Sequence, residues 1–330
     1  MRIRGLLYIL LFLIFISAPS CKKKAAKDGR EDTLTTGFIR VASDETFKIM
    51  MDAQITSFEV HHDYQAIVIP IYDNEDEVIR FLIEDSVRLA ITTRDMNPTE
   101  KSELAERNMH LKKFLIAFDG IALITNRVNQ DSLLSIQTVK KILTGEITEW
   151  SQINSNTTLG TIRVLFDNKN SSIFRYVVDS IAGRETISSN LYALNNAQEV
   201  MEKVIEMPNT IGIVGVSTLS GEAGSEFRNL RNEVRTLRIS LEDPPLLENS
   251  HLPYAIDIKQ ERYPFWRPVF ALLTDPRAGL SSGFTYFLSH EVGQKIILKS
   301  DLLPVTAPHI TNMRIIDEFP NENSRSRTIN

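Results

Sequence analysis

The chain has 330 residues, of which 42% are hydrophobic and 24% are charged, a balance typical of globular proteins. Its length suggests about two domains. The formal net charge is −5, and no basic stripe with interleaved aromatic residues occurs. This composition argues against nucleic acid as a partner and excludes a low-complexity chain.

Residues 1–21 are typical of an export signal. Arg2 and Arg4 precede the apolar run LLYILLFLIFI, and the small-residue stretch SAPS then leads to Cys21, the only cysteine. This arrangement resembles the lipobox of bacterial lipoproteins, in which that cysteine becomes the lipidated first residue. A buried core cysteine, the alternative, fits poorly beside the three lysines that follow. We therefore expect a protein on the periplasmic side of a bacterial cell envelope, attached to a membrane only through lipid on Cys21.

Both ends of the exported chain lack a core-forming pattern. Residues 22–36, KKKAAKDGREDTLTT, contain charged and small residues without an apolar period, which predicts a flexible tether. Residues 317–330 predict a loose tail for the same reason. With a single cysteine the fold cannot contain an internal disulfide, so a sizeable core has to hold it together.

The first part of the globular region alternates strands and helices. GFIRVA, from Gly37, predicts a strand, and a helix over residues 47–60 follows the polar turn SDET. YQAIVIPI predicts a second strand, NEDEVIRFLIEDS a helix with an acidic first turn, and VRLAITT a third strand that ends before Arg94. Apolar strands that alternate with helices indicate a parallel α/β sheet.

A second alternating series follows. FLIAFDGIALITN is a long apolar stretch interrupted at Asp119, and IQTVKKILTG predicts a helix ended by Gly145. TIRVLF predicts a strand that leads into the loop DNKNSS, and a helix from near Asn196 precedes the strand NTIGIVGVS. After a polar, glycine-rich break at residues 220–225, VRTLRISL and WRPVFALLT predict strands and GFTYFLSHEVGQKIILKS predicts one closing helix.

Motifs for catalysis or metal binding are weak. Residues 279–283, GLSSG, formally fit the G-x-S-x-G pattern, whose serine must follow a strand directly. TDPRA separates them from the preceding strand, so we expect Ser281 to be a helix cap and an envelope serine hydrolase to be the less favoured reading. His61 and His62 are adjacent rather than one helical turn apart, which gives little support to a metal site. Since no phosphate-loop or dinucleotide fingerprint occurs, we expect a binding protein without metal or cofactor.

Three polar loops, SDET, TTRD and DNKNSS, follow predicted strands. Ligands of open α/β sheets bind at the carboxyl ends of strands. DNKNSS offers amides, hydroxyls and the free N–H groups of a helix start, which favour an anion, although an ordinary N-cap is the alternative. Arg94 follows a buried strand beside Thr93, and a surface salt bridge is its alternative role. Together the loops predict the capture of a small anion.

Six segments resemble, in this order, PstS-like periplasmic phosphate-binding proteins of ABC importers, particularly the lipoproteins of Bacteroidota-type bacteria: GFIRVASDETF, VRLAITTRDM, IAFDGIALITNRVN, VKKILTGEITEWSQI, DNKNSSIFRYVVDSI and NTIGIVGVSTL. The resemblance covers residues 37–308, and AFDGIAL with ILTGEITEW is its most specific part. It implies a type II periplasmic-binding-protein fold, an α/β architecture of two lobes joined by crossover strands with a ligand cleft between them. Residues 37–118 and 225–316 would form lobe one, and residues 119–224 lobe two.

The resemblance also implies ligand-binding residues. Thr46 and Phe47, with Ser43 on the same turn, match the family's first binding turn, and Thr93 with Arg94 matches the loop that lies against the ligand. Asp119 would open the second lobe at the hinge. Three residues match the helix start that wraps phosphate oxygens: Asn170, Ser171 and Ser172.

The sequence departs from the family pattern at three places, one of which is Ile173, where many phosphate binders carry a threonine. Asp167 stands where many phosphate binders carry an arginine, and YDNEDEV replaces a loop rich in serine and glycine, so that Asn74 can donate hydrogen bonds while Glu75 repels. Asp167 is the first candidate for a carboxylate that accepts a hydrogen bond from a protonated oxyanion, with Asp119 and Asp44 as alternatives. An ion pair of Asp167 with Lys169 or Arg175 is the alternative role.

These observations predict a monomeric extracytoplasmic receptor. It would capture inorganic phosphate, or a similar oxyanion, and deliver it to the membrane permease of an ABC importer. A non-transport protein for signalling or interaction in the envelope stays open as an alternative.

Overall fold

A computed structural model describes residues 31–183, 186–220 and 225–306. The predicted signal peptide with Cys21, residues 22–30 of the predicted tether and the predicted tail lie outside the described residues. No helix within these three ranges is long and apolar enough to cross a membrane.

The described residues form thirteen strands: β1 (Gly37–Asp44), β2 (Ala66–Asp73), β3 (Leu89–Thr92), β4 (Lys112–Asn126), β5 (Leu133–Ser135), β6 (Arg163–Phe166), β7 (Leu191–Ala193), β8 (Thr210–Gly215), β9 (Val234–Thr236), β10 (Arg238–Ser240), β11 (Ser250–His251), β12 (Trp266–Leu273) and β13 (Leu303–Pro304). They also form ten α-helices: α1 (Lys48–His61), α2 (Glu75–Ile83), α3 (Pro98–Glu106), α4 (Ile136–Thr144), α5 (Ser172–Tyr176), α6 (Ala197–Glu206), α7 (Ser225–Glu233), α8 (Ala255–Lys259), α9 (Leu280–Ser289) and α10 (Glu291–Lys299). Two short 3₁₀ turns, Glu45–Phe47 and Val216–Leu219, lie beside the candidate site described below.

The strands confirm the predicted α/β architecture of two lobes. The main sheet has the order β2-β1-β3-β12-β4-β8-β6-β7, and β5, β10 and β11 form a smaller sheet. Strands β1, β2 and β3 are parallel in lobe one, as are β6, β7 and β8 in lobe two. The long strand β4 pairs antiparallel with β12 through its first half and with β8 through its second half. It is therefore a crossover strand that belongs to both lobes.

Each lobe has its own hydrophobic core on the faces of its sheet. In lobe one, helix α2 buries Val78, Ile79, Leu82 and Ile83, which recur at the spacing of one helical face. In lobe two, the fully buried Trp150 packs with side chains of β4, β6 and β8. Because β4 contributes to both cores, the lobes are joined through packed side chains as well as through the backbone.

The boundary predicted after residue 224 is wrong. Strand β9 pairs with the end of β4, and β10 pairs with β5, so both strands belong to lobe two. The buried side chains of Leu237, Ile239, Tyr263 and Phe265 pack in the core of lobe two. The chain therefore returns to lobe one only at β12.

Residues 31–36, predicted to be part of the tether, pack against lobe one. The Asp32 carboxylate accepts a hydrogen bond from the backbone N–H of Leu280 at 2.9 Å, at the start of α9. Gly283 lies so close to this segment that a Cβ atom there would stand 1.8 Å from the Leu34 carbonyl oxygen. The tether can therefore extend at most to residue 30.

This contact also corrects the role predicted for Ser281. The N-cap residue of α9 is Gly279, which has no side chain, and Asp32 supplies the oxygen that a capping side chain would provide. Ser281 lies inside the helix with 2% of its surface exposed. A nucleophile in such a position is closed off from a substrate, which disfavours the hydrolase alternative.

Two further helices differ from the sequence prediction. The predicted closing helix is divided into α9 and α10 because His290 has an extended backbone conformation, with φ −114° and ψ 178°. Helix α3 was not predicted, although its start carries two local signals. Asn97 and Glu100 form a capping box, and Pro98 is the first helical residue.

Candidate functional site

A cavity of about 330 Å³, the interlobe cavity, lies between the lobes, where the loops at the strand ends face each other. Lobe one contributes Asp44, Glu45, Thr46, Lys48, Asp73 and Asn74 to its lining. Lobe two contributes Asp167, Asn168, Ser171, Asn195, Asn196 and Thr218. The parallel register of β1 and β2 sets Asp44 beside Asp73, which brings two of these side chains to the same edge of the sheet.

Four helical segments begin at the cavity. Their N-cap side chains each accept a backbone N–H: Asp44 from Thr46 at 2.9 Å, Asn74 from Glu77 at 3.2 Å, Ser171 from Phe174 at 3.1 Å and Asn196 from Glu199 at 2.9 Å. One cap satisfies only part of the N–H groups that a helix start leaves without intrahelical partners. Because the positive ends of helix dipoles also meet here, the arrangement favours negative charge.

Arg267 lies beneath the cavity with 2% of its surface exposed. The antiparallel register of β12 and β4 places it opposite Asp119, and its Nε donates to Asp119 Oδ2 at 3.0 Å. Its Nη1 donates to the Ser172 hydroxyl of lobe two at 2.7 Å. Arg267 therefore connects the crossover strand with the start of α5.

Arg267 Nη2 forms an ion pair with Asp119 Oδ2 at 3.0 Å. Two carboxylate oxygens of this centre, Asp44 Oδ2 and Asp119 Oδ1, are buried without a hydrogen-bond partner among the described residues. Unsatisfied buried polar atoms are costly and uncommon in native proteins. Arg267 acts electrostatically on both carboxylates, so the three groups form one interacting cluster. Such a cluster can both donate hydrogen bonds to a ligand and accept them from it.

Burial raises the pKa of the carboxyl groups around the cavity. It raises the pKa of Asp119 to about 6, against the lowering effect of Arg267. Burial likewise raises the pKa of Asp167 to about 6 and that of Asp44 above its ordinary value. The pKa of Glu45 is raised by burial and by the neighbouring charges of Asp44 and Asp73. Burial is the main cause of each of these raised pKa values, and neighbouring carboxylates add to it.

Four of the predicted ligand residues line the cavity: Thr46, Asn74, Asp167 and Ser171. Asp119 and Ser172 lie behind it as partners of Arg267. Three others lie near the loops without lining the cavity: Ser43 donates to the Asp44 carbonyl, Phe47 is buried in the lobe-one core, and Asn170 is exposed. The Phe47 ring lies 5.6 Å from the Arg267 guanidinium and supports it from below.

Arg94 does not line the cavity. Its guanidinium forms ion pairs with Asp76 and Glu100, each at 2.8 Å, and lies 3.6 Å from Glu75. The acidic first turns of α2 and α3 thus occupy this arginine, which is the salt-bridge alternative considered from the sequence. Its geometry gives no support to a ligand-binding role.

Thr93 belongs to a polar contact between the lobes. The Glu75 carboxylate, with 2% of its surface exposed, accepts from Thr93 Oγ1 at 2.7 Å. From lobe two, Arg175 donates to Glu75 Oε2 at 2.9 Å and to Thr93 Oγ1 at 2.8 Å. Arg175 is therefore the partner of Glu75 and not of Asp167, which forms no ion pair within the described ranges.

Several cavity residues were not identified from the sequence. Asn195 and Asn196 follow the parallel strand β7, which was not predicted from the sequence, so the strand-end rule that located the other loops did not indicate them. Arg267 carried a weaker signal, a charged residue within the apolar stretch WRPVFALLT. Lys48 is a cation on the lining, but its ammonium group pairs with Asp52 at 2.8 Å.

Comparisons with known proteins agree with this architecture. The family model described as a PBP superfamily domain matches residues 25–291. The phosphate-binding protein PstS of Staphylococcus aureus (strain USA300) is 21% identical over 248 residues, which cover 74% of this chain and 72% of the relative.

Solved structures share the fold at low sequence identity. A candidate phosphate ABC transporter substrate-binding protein from Clostridium perfringens, solved with bound phosphate, has a TM-score of 0.66 at 19% identity and covers 82% of this chain and 100% of that one. An ABC-type phosphate transport receptor from Vibrio cholerae has a TM-score of 0.60 at 20% identity, and the match covers 81% of this chain and 100% of that receptor. These likenesses confirm the predicted type II periplasmic-binding-protein fold.

Proposed function

The chain belongs to the PBP superfamily, whose domain model matches most of its length, and from this premise we propose that it is an extracytoplasmic receptor for inorganic phosphate. The convergence of four helix starts on one interlobe cavity carries the proposal, because free N–H groups and helix dipoles bind oxyanions. The names of the S. aureus relative and of the C. perfringens structure add support for phosphate.

The acidic lining favours phosphate over a fully deprotonated oxyanion. Phosphate keeps at least one proton at neutral pH, and that proton can be donated to a carboxylate. Asp167 and Asp44 stand on the lining, and Arg267 behind them balances part of their charge. A bare dianion such as sulfate would meet these carboxylates without a proton to share and would be rejected.

The proposal extends to the cellular role. Lipidation at Cys21 would hold the receptor at a membrane on the periplasmic side of the envelope, and the permease of an ABC importer would accept its ligand. The lipobox-like sequence SAPSC supports the anchor, and the names of the relatives support the transporter. We expect the receptor to act as a monomer.

Thermal unfolding in the presence of phosphate, arsenate, sulfate and molybdate tests the proposal. Phosphate and arsenate should raise the melting temperature because they bind only the folded state, and the other two should not. Ser171→Ala should reduce the phosphate effect, whereas Arg94→Gln, which changes a residue outside the cavity, should leave it unchanged. No shift with any oxyanion would contradict the receptor function and would favour the envelope signalling alternative.

A further inference from the structure

A second cavity, of about 500 Å³, lies beside lobe two. Three arginines line it: Arg127 after the end of β4, Arg231 on α7 and Arg235 on β9. Tyr254 and Asp301 also line it.

None of the three arginines forms an ion pair within the described ranges. Arg235 donates to the carbonyl oxygens of Asn129 and Arg127, at 3.0 and 3.2 Å, and Arg231 donates to that of Leu219 at 2.8 Å. Carbonyl partners fix the direction of a guanidinium but do not neutralise its charge. Asp301 is the single carboxylate on the described lining, so positive charge exceeds negative charge by two.

Among the described residues, five apolar side chains also line this cavity: Val216, Leu219, Val234, Leu252 and Pro253. Val216 and Val234 are buried, and Leu219 is half-buried beside them. The Tyr254 ring, 60% exposed, stands at the rim. A ligand that fits both parts of the lining carries about two negative charges at one end and an apolar group at the other.

We propose that this cavity binds a phosphate monoester, with the phosphate on the arginines and the organic group against the apolar wall. A phosphate monoester carries about −1.5 to −2 charge at neutral pH, which matches the excess positive charge of the lining. The planar guanidinium fork is also suited to bidentate phosphate binding. The same chemistry is available from a soluble organic phosphate and from the headgroup of an anionic lipid.

This cavity is distinct from the interlobe cavity. The 3₁₀ turn Val216–Leu219 lies between the two cavities. Thr218 lines the interlobe cavity, whereas Val216 and Leu219 line the second cavity, which contains the three arginines. The proposal therefore does not depend on which oxyanion the interlobe cavity binds. It can be tested with the first cavity disabled.

Isothermal titration of the purified protein with hexyl phosphate tests the proposal. The parent should bind it, and the double variant Arg127→Gln/Arg231→Gln should bind at least about tenfold more weakly, because two charge-assisted contacts are lost. Arg40→Gln, a change of an exposed arginine on β1, should bind like the parent. Ser171→Ala should retain hexyl phosphate binding while losing affinity for inorganic phosphate.

The source of the ester is distinguished by co-sedimentation with phosphatidylcholine vesicles with and without phosphatidic acid. Co-sedimentation that requires phosphatidic acid and is lost in the double variant indicates a lipid headgroup. Hexyl phosphate binding without co-sedimentation indicates a soluble ester. If the parent does not bind hexyl phosphate, or if the double variant binds it as tightly as Arg40→Gln, the proposed site is overturned.

Discussion

Arg267 is buried and contacts residues of both lobes through its guanidinium group. Its position opposite Asp119 follows from the register of two antiparallel strands, and its second contact, with Ser172, comes from the other lobe. Buried charges need close partners because their desolvation is expensive. Two carboxylate oxygens of this cluster, on Asp44 and Asp119, nevertheless lack a hydrogen bond among the described residues, which is consistent with a centre completed by a ligand.

Arg267→Lys should keep the charge while removing the planar fork that contacts Asp119 and Ser172 together. We expect phosphate affinity to fall by at least about tenfold, since about 1.4 kcal/mol of interaction corresponds to that factor. Arg94→Lys is the matched control, because Arg94 pairs only with carboxylates outside the cavity. Titration calorimetry measures both variants, and similar affinities in the two would remove Arg267 from the site.

Asp167 should make oxyanion selectivity depend on pH. Its pKa is raised to about 6 by burial, so the carboxyl group takes up a proton as the pH falls through that value. A protonated Asp167 can donate to sulfate instead of repelling it, so sulfate affinity should rise between about pH 7.5 and about pH 5. Sulfate itself stays fully deprotonated over this range and does not contribute to the change.

Asp167→Asn should bind sulfate more tightly than the parent at neutral pH and show a weaker pH dependence. Some dependence should persist because Asp119 also has a pKa of about 6. Competition binding of phosphate and sulfate at several pH values checks both statements. A variant with the selectivity and pH profile of the parent would show that Asp167 does not select the protonated ligand.

At the scale of elements, local patterns predicted most helices and strands. Helix α3 was missed despite its local capping box, whereas the error at α9 and α10 involves a long-range contact. Gly145 ends α4 as expected, in a left-handed conformation with φ 87°. The break between α9 and α10 carries no glycine or proline, and the cap of α9 comes from Asp32, 248 residues away. No local pattern encodes such a contact.

Some residues of the candidate site were predicted from the sequence and others were missed, depending on whether a local pattern or a long-range contact positions them. Loops at strand ends indicated Thr46 and Ser171 because the carboxyl ends of parallel strands lie at one edge of a sheet. Arg94 follows a strand in the same way, but its guanidinium pairs with acidic residues of α2 and α3 and does not line the cavity. The position of Arg267 beside Asp119 results from pairing between two strands, and these two residues are 148 positions apart in the sequence. The sequence alone does not reveal this pairing.

Asp32→Ala should destabilise lobe one by removing the cap of α9. The loss of a capping side chain costs roughly 0.5–2 kcal/mol, and the free energy of unfolding should fall by that amount. Thr35→Ala is a nearby control, since the Thr35 side chain is exposed and is not among the capping contacts. Urea denaturation compares the two, and equal stabilities would contradict the contact between residues 31–36 and α9.

At the scale of the whole molecule, Arg175 joins the lobes beside the interlobe cavity. If Arg175 favours the closed arrangement, Arg175→Gln should populate open forms and weaken phosphate binding by an amount on the order of tenfold. The preference of the Arg175→Gln variant for phosphate over sulfate should persist because Arg175 does not line the cavity.

Small-angle scattering should show a fall in the radius of gyration of the parent when phosphate binds, as hinge closure requires. Unliganded Arg175→Gln should have a larger radius than the unliganded parent. Arg163→Gln, on an exposed part of β6, serves as the control. Identical profiles for all unliganded proteins would exclude Arg175 as a closing contact.

The shared strand β4 has a consequence for how the protein unfolds. Each lobe has a separate core, yet unpairing β4 would disrupt hydrogen bonds with β12 in one lobe and with β8 and β9 in the other. Neither lobe can melt fully while its neighbour keeps β4 in place, so we expect a single cooperative transition in scanning calorimetry, with equal calorimetric and van't Hoff enthalpies. Two resolved transitions would contradict this coupling. The strand that joins the two lobes thus also obliges them to share one melting temperature.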